Sequence, residues 1–368
     1  MKKRATLWEK LEDNKVKCNI CAWRCVRAPG KRGFCRTRMN IEGEMYTLIY
    51  GSMISPGSLD PIEKKPLYNF WPGATAYSIA SIGCNFTCKM CQNWNISQCT
   101  PTENGKSGYF DIQELEGKGM GLYETTPEKL IKKVVESGAK SIAYTYNEPL
   151  IWHEFIIDVA KLAHEHDILN ILVTNGYSTP EASAELVKYM DAANVDIKAF
   201  TDKFYKEVCG VPSLQPVLDT CVRWKKAGMH IETTNLIIPN KNDNLDDIRN
   251  LAKWVKDNLG PETPLHFSAY YPTFKMSEKR TSYEILDKAY NIAKEEGLYY
   301  VYVGNMRHPK GENSYCPNCD SLVLGRSGYS FTKVNLKNGN ICGSCGQKLP
   351  GLVGQYNTNS KSRRFSFF

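Results

Sequence analysis

Apolar positions follow two alternating rhythms along much of the chain. Short runs rich in β-branched and aromatic residues occupy 75–83, 140–146, 168–176, 193–200, 230–239, 264–272 and 298–304, and these have strand character. The segments between them carry apolar residues at helical spacing. "TPEKLIKKVVESG" opens with Thr126 as a cap and Pro127 in the first turn, and it ends at Gly138. "STPEASAELVKYM" repeats that opening with Thr179 and Pro180. Regular β-α alternation predicts parallel strands joined by right-handed crossovers, hence an α/β fold built as a sheet or a partial (β/α) barrel.

In such folds functional groups collect at the C-terminal ends of the strands. The polar stations here obey that rule. A cysteine run follows the first strand, "NEP" the second and "TNG" the third, while "DIK" ends the fourth. Four successive units therefore converge on one rim. The turn-rich stretch from 98 to 125, with "TENGKSGYF" and "EGKGMG", predicts a long loop over the barrel mouth.

Composition adds limits. A chain of 368 residues, 42% hydrophobic and 23% charged, is an ordinary globular one, with room for one large core and small additions. No apolar run approaches a membrane span, and "MKKRATLWEKLEDNK" lacks an apolar signal core, so a cytoplasmic protein with no membrane partner is expected. The net charge of +8 reads as a solvated basic surface, and nucleic acid is not expected as a partner.

The fourteen cysteines change the picture. Disulfides suit small secreted domains, so these close pairs read as metal or redox sites. "CNICAWRCVRAPGKRGFC" holds Cys18, Cys21, Cys25 and Cys35; "IGCNFTCKMCQNW" holds Cys84, Cys88 and Cys91; "CPNC" and "CGSC" hold Cys316, Cys319, Cys342 and Cys345. Three domains are expected: an N-terminal Cys-rich module and linker (1–74), a barrel (75–304), and a C-terminal zinc-ribbon-like module and tail (305–368).

Each cysteine set reads differently. Three thiolates on one loop suit a [4Fe–4S] cluster with its fourth iron open; a structural zinc completed from afar or a reduced C-x-x-C pair also fits the spacing. Two C-x-x-C knuckles about twenty residues apart are a zinc-ribbon pattern, and a rubredoxin-like iron site uses the same four sulfurs. The N-terminal set lacks symmetric knuckles and is flanked by Arg24, Arg27, Lys31, Arg32, Arg36 and Arg38. Structural zinc and an auxiliary iron–sulfur cluster both remain open for it. Trp23 and Phe34 read as packing, and Cys99, Cys209 and Cys221 as inert buried thiols.

"CNFTCKMC" resembles the signature loop of radical S-adenosylmethionine (SAM) enzymes, and "NEP", "TNG" and "DIK" resemble stations of the branch containing the pyruvate formate-lyase activating enzyme. With "YGSMISPGSLDPIEKKPLYNFWPG", "YTYNEP", "HFSAYYPTFKM" and "YVGNMRHPKGENSYCPNC", the chain is most similar to the radical SAM member of the AmmeMemoRadiSam system, from about Cys18 to Leu352. The resemblance implies a partial (β/α) barrel of radical SAM type and an oxidoreductase. It implies that Cys84, Cys88 and Cys91 bind a [4Fe–4S] cluster whose open iron takes the amino and carboxylate groups of SAM. Reductive cleavage then yields methionine and a 5′-deoxyadenosyl radical that abstracts hydrogen from a substrate.

The same resemblance assigns Glu148, with Asn147 beside it, to the SAM amino group. Thr174 and Asn175 fall near the methionine or ribose, Lys198 at the SAM carboxylate, and Asp196 at nearby polar groups or a small cation. An Asp196–Lys198 salt bridge is the structural alternative. His266 is a further candidate for holding SAM, and Tyr271 lies near the position of that branch's histidine. Val173 replaces an acid that the activating enzyme uses in a monovalent-cation site. An electron donor of ferredoxin or flavodoxin type is implied, with a small-molecule or protein substrate. Glycyl-radical activation of a partner enzyme is the alternative function, and a non-catalytic zinc-ribbon binding protein the third.

Overall fold

The computed structural model describes residues 1–101 and 122–356. Most of the loop expected over 98–125 lies outside the described residues. The central sheet has eight strands: β1 Ser58–Pro61, β2 Thr75–Ile79, β3 Ser141–Tyr144, β4 Leu169–Thr174, β5 Ala192–Asp196, β6 His230–Ile237, β7 Leu265–Ala269 and β8 Val301–Gly304. Each pairs with the next in chain order, and among the described residues β1 and β8 are the sheet's two edges, so the barrel they form is open. The seven strands β2 to β8 are parallel, as the alternation predicted.

The strand β1 was not foreseen. It runs antiparallel to β2, with Ser58 opposite Ser78 and Pro61 opposite Thr75. Its sequence, "SLDP", is short and ends in proline, which an edge strand tolerates because one side needs no ladder donor. The sheet thus draws a strand from the stretch before residue 75, where the barrel was expected to begin.

Helices cover the sheet where the helical rhythm placed them. In α1, Pro127–Ser137, the Thr126 side chain accepts from Lys129 N, and Gly138 closes the helix in the left-handed region. Leu130, Ile131 and Val134 form its buried stripe. In α2, His153–Glu165, Phe155, Ile156 and Val159 are buried. In α3, Pro180–Leu186, Thr179 accepts from Ala182 N, and the helix stops short of the predicted Met190. The remaining long helices are α4 Gln215–Lys226, α5 Leu245–Leu259 and α6 Tyr283–Glu295. One contiguous apolar core joins their inner faces to the strands and reaches into the N-terminal segment through Val16, Ile20 and Met45.

Both flanking modules are locked to the barrel by buried charge. Arg38 meets Glu154 of α2 in a two-pronged pair, Nη1 to Oε2 at 2.8 Å and Nη2 to Oε1 at 2.7 Å, with both side chains almost fully buried. At the opposite end of the strands, Arg326 of the C-terminal module donates to Tyr68 O at 2.8 Å and Ser314 Oγ at 3.0 Å. Its Nε stands 3.6 Å from the Glu63 carboxylate, and neither side chain is exposed. The C-terminal module is therefore wedged into the barrel.

Candidate metal and cofactor site

After β2 the chain turns at Gly83, whose φ is +86°. A Cβ at that position would stand 2.5 Å from Thr37 Cγ2 and 3.0 Å from Cys35 O. Only glycine lets the loop lie this close to the N-terminal segment. The three cysteines follow at once. Their loop is held by Gly83 N to Ile96 O (2.9 Å), Thr87 N to Cys209 O (3.0 Å) and Lys89 N to Val208 O (2.9 Å). Asn147 ties the same loop to the second unit, donating through Nδ2 to Gly83 O at 3.0 Å and accepting from Ser81 N at 3.3 Å.

The sulfurs are met by donors. Phe86 N reaches Cys84 Sγ at 3.3 Å, and the Ser97 hydroxyl lies 3.2 Å from Cys91 Sγ. All three cysteines line a cavity of about 330 Å³ at the C-terminal ends of the strands. Asn147, Glu148, Thr174, Asn175, Asp196 and Lys198 line it too. Nine of the ten candidates for this site thus share one space.

Glu148 is buried at the cavity wall. It accepts from Leu150 N at 2.9 Å, Thr174 Oγ1 at 2.7 Å and Asn175 N at 2.8 Å. Burial nevertheless pushes its carboxyl up to about 7, because these neutral donors lower the value by less than desolvation raises it. Asn175 Nδ2 donates to Asn85 Oδ1 at 2.7 Å, which ties "TNG" to the cysteine loop. Asp196 ends β5 and Lys198 lies just past it; both line the cavity, and they also pair at 2.6 Å. Burial opposes the Lys198 charge, yet Asp196 outweighs it and holds the ammonium above its ordinary value. Val173 lines the cavity where the related enzyme carries an acid.

His266 is a correction. Its ring lies outside the cavity lining, buried near the start of β7, with Nε2 2.7 Å from Glu232 Oε2. Glu232 also accepts from Tyr68 N, Asn69 N and the His230 ring, so this cluster fills the far end of the barrel. A polar side chain near a strand's start points to the wrong rim. Tyr271 is partly exposed and donates to Asn305 O at 2.9 Å.

The cavity also takes residues that the sequence reading gave no role: Asn93, Tyr146, Asn194, Thr234, Ser268 and Asn305. Asn194 sits two residues before Asp196 on the same face, and Asn305 follows the last strand, so the strand-end rule could have found both. Tyr146 lies inside "YTYNEP", but its partner could not be foreseen. Its hydroxyl donates to Asp60 of the unpredicted β1 at 2.8 Å, and its φ is +70°.

The C-terminal four cysteines gather tightly. Cys316 and Cys345 sulfurs are 3.7 Å apart, Cys319 and Cys342 3.8 Å, and all four lie within 4.8 Å of one another. A tetrahedral ion with metal–sulfur bonds of about 2.3 Å sets sulfurs about 3.8 Å apart. Gln347 N and the Asn318 side chain favour the Cys345 thiolate and pull that thiol down to about 6. The N-terminal Cys18, Cys21, Cys25 and Cys35 are all buried beside the rim, where Trp23 Nε1 donates to Asn85 O at 2.8 Å and stacks on Phe34. Cys99, Cys209 and Cys221 are buried, and Cys209 backs the cysteine loop through the bond already noted.

The sequence model of the radical SAM superfamily matches residues 78–255, which span the cysteine loop and all three later stations. An uncharacterized protein of Methanocaldococcus jannaschii is 43% identical over 347 residues, covering 94% of this chain and 98% of that one. The chain belongs to the radical SAM superfamily. This radical SAM protein is also similar to the pyruvate formate-lyase-activating enzyme of Clostridium pasteurianum, 25% identical over 221 residues, 56% of this chain and 82% of that one. A probable GTP 3′,8-cyclase of Sulfurisphaera tokodaii is 24% identical over 239 residues, 60% of this chain and 75% of that one. The superfamily implies a [4Fe–4S] cluster and SAM. Among the described residues no helix is long and apolar enough to cross a membrane.

Proposed function

We propose that this protein is a radical SAM oxidoreductase in which Cys84, Cys88 and Cys91 hold a [4Fe–4S] cluster and the adjoining cavity takes SAM. The observation that carries this reading is the convergence of those three cysteines with Glu148, Asp196 and Lys198 on one cavity. The donor set fits the group: three cysteine sulfurs of one loop line the cavity, Phe86 N donates to Cys84 Sγ, and the Ser97 hydroxyl lies beside Cys91 Sγ. Held by Cys84, Cys88 and Cys91, a cluster would supply the electron for reductive cleavage of SAM to methionine and a 5′-deoxyadenosyl radical able to take hydrogen from the substrate.

The chain's own residues do the positioning. Glu148 offers a desolvated carboxylate to the SAM ammonium, held in place by Thr174 and Asn175. Those two residues act through Glu148 more than by direct contact. Lys198 meets the SAM carboxylate, sharing its charge with Asp196. Asn147 fixes the distance between the cysteine loop and the "NEP" turn. His266 drops out of the pocket assignment. The C-terminal cysteines hold zinc, since their spacing suits one tetrahedral ion.

An external one-electron donor of ferredoxin or flavodoxin type supplies the reductant, and a cytoplasmic setting suits so many free thiols. The substrate is a small molecule or a protein. Glycyl-radical activation remains the second reading, favoured by the similarity to an activating enzyme over most of that enzyme's length. The quoted motifs of the flanking modules support membership of the AmmeMemoRadiSam system.

Anaerobic reconstitution tests the proposal. The cluster's electron paramagnetic resonance should change on adding SAM, and dithionite-reduced protein should form 5′-deoxyadenosine. Cys84→Ala, Cys88→Ala and Cys91→Ala should each abolish that product, and its persistence in any of them overturns the assignment.

A further inference from the structure

The chain holds two complete four-cysteine sets, and their geometries differ. The C-terminal sulfurs stand at the spacing of a single tetrahedral ion. Among the described residues no other group of three or more Cys, His, Asp or Glu ligand atoms lies within 4.8 Å of one another. The N-terminal Cys18, Cys21, Cys25 and Cys35 do not share that single-ion gathering.

They nevertheless face a common space. An added Cβ on Gly33 would lie 3.7 Å from Cys35 Sγ and 3.8 Å from Cys25 Sγ, so those two sulfurs flank one glycine. Cys18 N donates to Cys25 O at 3.0 Å, folding the first three cysteines into one turn. All four are buried and free of disulfides.

The surroundings suit a polynuclear anion. Phe34 N donates to Cys25 Sγ at 3.4 Å and Thr37 Oγ1 to Cys35 Sγ at 3.3 Å. Arg38, whose carbonyl accepts from Gly33 N at 2.8 Å, brings a buried guanidinium to this segment, where it is paired with Glu154. Hydrogen bonds and cations beside the sulfurs are what stabilise a cluster's thiolates.

We infer that Cys18, Cys21, Cys25 and Cys35 hold a second iron–sulfur cluster, seated behind Gly83 and Asn85 of the first cysteine loop. Four thiolates complete its coordination, so it has no open iron and takes neither SAM nor substrate. Its place is fixed by the Trp23–Asn85 bond, by Ala22 N to Tyr177 O at 3.0 Å, and by the bridge between Cys21 and Ser178 just past "TNG". The module thus touches the backbone beside both Cys84 and Asn175. This inference does not depend on what Cys84, Cys88 and Cys91 bind.

The test uses the full chain carrying Cys84→Ala, Cys88→Ala and Cys91→Ala together, purified and reconstituted anaerobically with iron and sulfide. It should keep about two to four iron atoms per chain with matching acid-labile sulfide, and a signal that SAM does not alter. Adding Cys21→Ser and Cys25→Ser should remove that iron and leave the C-terminal metal in place, with an unchanged far-ultraviolet circular dichroism spectrum reporting that the chain has folded. Iron at background in the triple variant, with about two zinc ions per chain, overturns the inference. So does iron that survives the added serines. Should the triple variant fail to fold, the wild-type chain decides: about four iron and two zinc overturn the inference, whereas iron clearly above four with one zinc supports it.

Discussion

Thr174 Oγ1 donates to Glu148 Oε1 at 2.7 Å, and the next residue's amide donates to Oε2 at 2.8 Å, so the polar ends of two neighbouring strands meet in one buried carboxylate. The arrangement aims a desolvated acid at the cavity with both oxygens already fixed. Replacing Glu148 with Gln keeps the shape and removes the charge. SAM affinity should fall roughly ten- to hundredfold, the equivalent of about 1.5–3 kcal/mol for a charge-assisted bond. Anaerobic calorimetry on the reconstituted protein checks this, and unchanged affinity would place the ammonium elsewhere.

The same carboxyl gives a pH dependence. Burial raises it from 4.5 to about 7 in the empty protein. A raised acid stabilises the fold fully below its unfolded value, and that contribution is lost as pH rises from 4.5 through 7. The loss is on the order of 3 kcal/mol. An ammonium partner reverses it. SAM should therefore raise the melting temperature more at pH 7.5 than at pH 5.5, with affinity falling about tenfold per unit below 7. A flat profile between those values would rule out Glu148 as the partner.

Much of this site was legible in the sequence, for a definite reason. Parallel strands put their C-terminal ends on one rim, so "NEP", "TNG" and "DIK" could be brought together from strand order alone. His266 misled because a residue near a strand's start looks much like one near its end until the register is known; β7 begins at Leu265. β1 was hidden by its length and its proline, and with it went Tyr146 and Asp60. The close gathering of the C-terminal sulfurs is a three-dimensional quantity, and ligand counting gave the same four thiolates for both four-cysteine sets.

Arg38 and Glu154 lock the N-terminal module to α2. Burial and Arg38 act oppositely on Glu154, and the cation wins, holding its carboxyl down to about 2. Arg38→Met strands that carboxylate and should cost about 3–5 kcal/mol, while Arg38→Met with Glu154→Leu should recover most of it. Chemical denaturation reads both. A depressed acid contributes above its unfolded value, so the wild-type advantage over the double variant should shrink as pH falls from 4.5 towards 2. Equal stability of wild type and Arg38→Met would remove the lock.

The C-terminal module is expected as a domain of its own (305–368), yet Arg326 ties it to the barrel. Its guanidinium enters the barrel's far end and stands 3.6 Å from Glu63, with neither side chain exposed. Burial raises the Glu63 carboxyl, and Arg326 with Gly73 N opposes the rise. Two perturbations should therefore part company. Cys342→Ser with Cys345→Ser should release the ribbon's metal and loosen the ribbon while leaving the barrel's melting temperature within a few degrees, because Arg326 stays on its own strand, Leu322–Ser327. Arg326→Leu should keep the metal yet cost the barrel about 3–5 kcal/mol, and adding Glu63→Leu should restore much of that. Metal content and urea midpoints distinguish the two. A barrel indifferent to Arg326→Leu would mean that the module rests on the surface, and that Glu63 is satisfied without it.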